Sequence, residues 1–189
     1  MSNETDLARY QLANGNTLRI VRDDSPESPR EWSNLGKLFL FSNKNGNIDE
    51  FENEIDLENC KDWEDISEKF REMYEGCIIK NVYVYKHGNV VYRTTPFGCP
   101  FDSWQAGLIV CTPEDAKTAG FDPIKDAEKI EKGLISEVVV FSMWRNGEIY
   151  GFIEEDQNGD HVNSCFGFYG SDPKENGMVD HLDSEIIEI

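Results

Sequence analysis

The stretch EVVVFSMW (137–144), NG (146–147), IYGFI (149–153), NG (158–159) and VNSCFGFY (162–169) decides the reading of the fold. Three runs rich in β-branched and aromatic residues are punctuated by two Asn-Gly pairs. That dipeptide supplies the positive backbone angles of a tight hairpin turn. The pattern predicts strands at Glu137 to Trp144, Ile149 to Ile153 and Val162 to Tyr169. They form a meander whose tips are Asn146-Gly147 and Asn158-Gly159.

Working outward, the same signal recurs. Tyr10 and Leu12 alternate with polar residues before Asn14-Gly15, and Leu18 and Ile20 do so after it, which predicts an opening hairpin. Lys37 to Phe41 reads as a short strand. Ile78 to Tyr85 and Val90 to Tyr92 form a hairpin across Lys86-His87-Gly88-Asn89, and Gly107 to Cys111 is a further strand.

Helical periodicity appears where Trp63, Ile66, Phe70, Met73 and Tyr74 recur, with Asp62 as N-cap and Gly76 past the end. Thr112-Pro113-Glu114-Asp115 opens a short helix that stops before Gly120, and Asp122-Pro123 opens another that ends near Gly133. The C-terminal tail offers at most a strand at Ile186 to Ile189. The chain is therefore read as an α+β protein, an antiparallel sheet of hairpins with two or three helices. It is read as a single domain over 1–189, with an acidic insertion and helix at 43–75.

The formal net charge of -19 opposes phosphate-driven contact with DNA, RNA or an anionic membrane and points to basic surfaces or cations as partners, solubility being the other use of surplus acid. The N-terminus lacks a basic segment followed by an apolar one, and no apolar run approaches the length of a span. Residence in the cytoplasm is expected. The five cysteines have no CxxC pair and no His at zinc-finger spacing, so reduced, structural thiols are expected.

No motif supplies a catalytic residue, a metal site or a cofactor site. Residues 43–52 imitate a calcium loop, but in that register Phe41 would be the first ligand and has no oxygen to offer. Asp156-Gln157-Asn158-Gly159-Asp160 is explained by a hairpin tip. His87, His161 and His181 have no nucleophile partner in a recognised arrangement, and Cys99, between Gly98 and Pro100, has no evident activating neighbour. Neither a GxxxxGK[ST] loop nor a strand-linked GxGxxG is present.

The sharpest local feature is the segregation of acid. Asp49, Glu50, Glu52, Glu54, Asp56, Glu58, Glu64, Asp65, Glu68 and Glu72 form the expected partner-binding face. On the helix, Glu64, Glu68 and Glu72 repeat at i, i+4, about 6 Å apart, and repel one another by about 0.2 to 0.5 kcal/mol per pair. The spacing approximates successive phosphates of a nucleic-acid strand, and a cationic partner would relieve the repulsion; the other reading of the same residues is a solvated acidic face.

Four segments together carry a resemblance: SPREWSNLG (28–36), FDSWQAGLI (101–109), GEIYGF (147–152) and NSCFGFYG (163–170). They resemble the segments SPREWDNLG, WDSGQVGFI, GDVYGF and DSCWGFYG, in the same order, of small bacteriophage and mobile-element proteins without an assigned function. The resemblance implies no catalytic residue. It places the acidic insertion after Gly36, where family members continue into a basic, His-containing stretch. The expected function is a counter-defence protein that inhibits a bacterial nuclease, a CRISPR effector or restriction enzyme, by acidic nucleic-acid mimicry. The alternative expectation is a small enzyme or nucleotide-binding module whose pocket gathers Arg30, Trp32, Asp102 and Trp104.

Overall fold

A computed structural model describes residues 6–40, 49 and 60–187. It is mixed α+β, with two antiparallel sheets. The chain divides into two compact units, one of Met1–Ser28 with Met143–Ile189 and one of Pro29–Ser142, a division that the reading of one domain over 1–189 does not draw.

In the first unit, β1 (Ala8–Leu12) and β2 (Thr17–Arg22) form the expected opening hairpin, and Gly15 at φ 91° makes its turn. Asn14 Oδ1 accepts from the Asn16 amide at 2.9 Å, the local side-chain bond that makes Asn a turn residue. The second unit begins with β3 (Lys37–Leu40). The helix α1 (Trp63–Met73) follows as expected, capped by Asp62, whose carboxylate accepts from the Glu64 and Asp65 amides.

Next come β4 (Ile78–His87), β5 (Asn89–Arg93) and β6 (Ser103–Cys111), with Gly88 alone between β4 and β5. These strands order as β3-β6-β4-β5. The middle strand β6 is buried from Ala106 to Cys111, because both faces of the sheet are covered. On one face, Phe39, Leu108 and Val110 pack with Ile66 and Phe70 of α1. Gly107 is required there, since a Cβ would lie 2.0 Å from the Phe39 carbonyl oxygen.

The helix α2 (Pro113–Thr118) has the expected Thr112 N-cap, in a reciprocal capping box with Asp115. The third helix overturns part of the opening reading. α3 runs from Ala127 to Arg145, so Glu137 to Trp144 is helix rather than strand and Gly133 ends nothing. Ile130, Leu134, Val138 and Phe141 recur at helical spacing and are buried, whereas Val139 is 40% exposed. Burial on the 3.6-residue period outweighs the β-propensity of three consecutive valines.

Gly133 lies inside α3, where a Cβ would stand 2.8 Å from Leu35 Cδ2 and would push that side chain aside. The other sheet face takes α3: Lys80, paired opposite Ile109, donates to Glu131 at 2.5 Å, and the Tyr92 and Phe141 rings lie 5.3 Å apart.

Asn146-Gly147 is correspondingly a helix end. The Glu148 amide donates to the Met143 carbonyl and the Gly147 amide to the Trp144 carbonyl, with Gly147 at φ 65°, which is a Schellman stop. Then β7 (Ile149–Glu155) and β8 (His161–Tyr169) form a hairpin about Asn158-Gly159, as expected, and β9 (Ile186–Ile187) pairs with β1. The order is β8-β7-β2-β1-β9, so the three-stranded meander is replaced by β7 pairing with β2. Leu12, Leu18, Ile20, Phe152, Phe168 and Met178 form this unit's core.

Candidate partner-binding face

α1 turns Ile66, Ser67 and Phe70 inward and leaves Glu64, Glu68 and Glu72 exposed on the opposite side, with Glu75 exposed just past the helix. Arg71 bonds the Glu64 carboxylate at 2.9 Å, with both side chains more than half exposed. Such a pair contributes little, about 0 to 1 kcal/mol. Glu68 and Glu72 have no ion-pair partner among the described residues. Asp65 accepts from the Lys61 amide at 2.8 Å and so helps to start the helix.

The structure thus exposes three expected members of the acidic face in a row and gives a fourth, Asp65, a local structural bond. Glu50, Glu52, Glu54, Asp56 and Glu58 lie outside the described residues, as does the calcium-like stretch 43–52 apart from Asp49.

Asp49 has a different occupation. Arg30 directs Nε and Nη2 at its carboxylate, Nη1 at Glu137 Oε2 (3.1 Å) and Asn34 Oδ1 (3.2 Å), and Nη2 also at the Gly36 carbonyl. Asp49 further accepts from the Leu38 amide at 2.6 Å, and Glu137 from the Leu35 amide at 2.6 Å. The Arg30 side chain is 6% exposed. The planar guanidinium satisfies its fork of donors on two carboxylates and a carbonyl, and so fastens residues 30–38 to α3. Arg30 of the SPREW segment thereby serves packing, and Asp49 is committed to Arg30 rather than to a partner.

The four residues expected to share a pocket are not brought together. Arg30 is bonded beside Leu38, which pairs with Ile109, whereas Trp104 stands about 16 Å from Ile109 along β6. Trp32 is 49% exposed and Trp104 53%. Asp102 lies between two groups of interest: Cys99 Sγ donates to its Oδ2 at 3.5 Å, and His87 Nδ1 lies 3.4 Å from the same oxygen. The neighbour of the Cys99 sulfur is thus a carboxylate, not one of the cationic groups that activate a thiolate. Among the described residues no group of three or more His, Cys, Asp or Glu side chains is placed to hold a metal ion, and no helix is long and apolar enough to cross a membrane.

The sequence reading passed over an open groove of about 710 Å³ between the Gly76 turn and the α2–α3 connection, lined by Phe121 and Ile124 among others. Its signal was present: Asp122-Pro123, read as the start of a helix, leaves Ile124 outside the buried spacing that begins at Ile130. Comparisons with protein-family models, with curated proteins and with solved structures each return no match.

Proposed function

We propose that this chain is a bacteriophage or mobile-element inhibitor that occupies the nucleic-acid-binding surface of a bacterial nuclease, offering carboxylates where the nuclease expects phosphates. The observation that carries this reading is the exposed Glu64, Glu68 and Glu72 row on α1, opposite the buried Ile66 and Phe70. A net charge of -19 and the resemblance to phage proteins support it. The inhibitor acts by binding: its carboxylates meet Lys and Arg that otherwise hold the nucleic-acid backbone, and its charge steers the encounter.

The test is competition. The purified chain is titrated into CRISPR effectors and restriction enzymes while their DNA binding and cleavage are followed. The reading expects inhibition that is relieved by added DNA and weakened by salt. It also expects the Glu64→Lys, Glu68→Lys, Glu72→Lys triple variant to lose inhibition while keeping its circular dichroism spectrum. Undiminished inhibition by a folded triple variant would reduce the row to solvated surface.

A further inference from the structure

We infer that the groove beside the C-terminal end of α1 seats an apolar anchor carried by a basic segment of the partner protein. This rests on the proposed reading of α1 and specifies what the partner offers. The groove of about 710 Å³ has an apolar wall of Pro113, Phe121, Pro123 and Ile124, and Glu75 lines it from the α1 side.

Ile124 is 88% exposed. Single exposed aliphatic residues are common, but this one is held out by a built turn. Asp122 Oδ1 accepts from the Ile124 and Lys125 amides, each at 3.0 Å, and the Asp122 amide donates to Asp126 Oδ2 at 3.0 Å. The Phe121 amide is fixed on the Ala116 carbonyl at 2.8 Å. An apolar side chain on backbone already ordered forfeits little freedom when a partner covers it.

Charge selects the occupant. Glu75 at the groove and Glu72 one turn earlier stand at the negative end of the α1 dipole, where Lys or Arg is favoured. Asp122 holds Lys125 at 3.4 Å, and Lys117 is the one cation among the lining residues. Phosphate mimicry alone asks for no apolar seat. A protein segment that places Leu, Ile or Met among Lys or Arg uses both the groove and the glutamates.

The experiment measures fluorescence anisotropy of the full chain with three labelled peptides of equal length: alternating Lys-Gly, alternating Lys-Leu and alternating Glu-Leu. The Lys-Leu peptide is expected to bind about tenfold more tightly than Lys-Gly, a difference of the size one buried aliphatic anchor supplies. Ile124→Ser, at an exposed position whose folding is checked by thermal melting, should erase that preference and leave Lys-Gly binding unchanged. Lys117→Ala should tighten Lys-Leu binding.

Equal binding of the two Lys peptides, a preference that survives Ile124→Ser, or preferred binding of Glu-Leu would each overturn the inference. The Glu64→Lys, Glu68→Lys, Glu72→Lys variant separates the two proposals. It should weaken both Lys peptides alike, because Glu72 is reversed, and keep the Ile124-dependent preference; if nuclease inhibition also survives in this folded variant, the groove stands and the mimicry reading fails.

Discussion

Arg30 illustrates how a residue that looks like a binding group can belong to the fold. Its guanidinium, 6% exposed, faces two carboxylates that are themselves mostly buried, Asp49 at 13% and Glu137 at 17%. Removing it leaves those charges uncompensated, so Arg30→Ala is expected to cost about 3 to 5 kcal/mol in chemical denaturation. Arg30→Lys should recover only part of the loss, because an ammonium cannot reproduce the fork across Asp49, Glu137 and the Gly36 carbonyl. Wild-type stability in Arg30→Ala would show that the cluster is not a clamp.

Asp6 makes the complementary case at the same scale. Its carboxyl is held below the ordinary 3.8, first by the side-chain bond from Arg19. Arg19 also bonds Glu155 at 2.7 Å, joining β2 to β7. A folded-state carboxyl with a depressed pKa adds stability above its unfolded value, and that contribution fades as pH falls through the folded value. Asp6→Asn should therefore lower the melting temperature at neutral pH and flatten its fall below about pH 4. An unaltered acid limb in the variant would dismiss the pair as a source of acid sensitivity.

Among the elements, α3 marks where sequence reading stopped working. EVVVFSMW has strand composition, and its helical face becomes visible only when Ile130 and Leu134 are counted with Val138 and Phe141 across Gly133. Taking Gly133 as a stop cuts that face in two, whereas the helix runs through it and Leu35 approaches it there. The hairpins at Asn14-Gly15 and Asn158-Gly159, and the capped starts of α1 and α2, were legible because their signals are local.

The exposed glutamate row was legible for the same reason, through helical spacing alone. The Arg30 cluster was not, because Glu137 lies far along the chain from Arg30. Gly147 keeps its strict demand even though its turn ends a helix: at φ 65°, Gly147→Val should cost about 1 to 3 kcal/mol, read from the denaturation midpoint. A loss below half a kcal/mol would mean the Schellman stop relaxes to another geometry.

At the scale of the whole molecule, 37 acidic against 18 basic side chains make salt act in opposite directions on folding and on binding. Self-repulsion destabilises the compact state, so screening it should raise the melting temperature between low salt and about 0.5 M, where the Debye length falls to a few ångströms. The same screening should weaken association with a basic partner. The Glu64→Lys, Glu68→Lys, Glu72→Lys variant ties the two effects together. Each exchange adds two positive charges, moving the net charge from -19 to -13, and it leaves Ile66 and Phe70 in place. The relief of repulsion offsets the loss of Glu64 from the first turn of α1 and of its bond to Arg71, so its melting temperature should stay near the wild type's at low salt and depend less on salt, while its affinity for a nuclease or a Lys-rich peptide falls. A variant that melts lower at low salt would show that the row supports α1, and a loss of binding could then no longer be credited to the carboxylates.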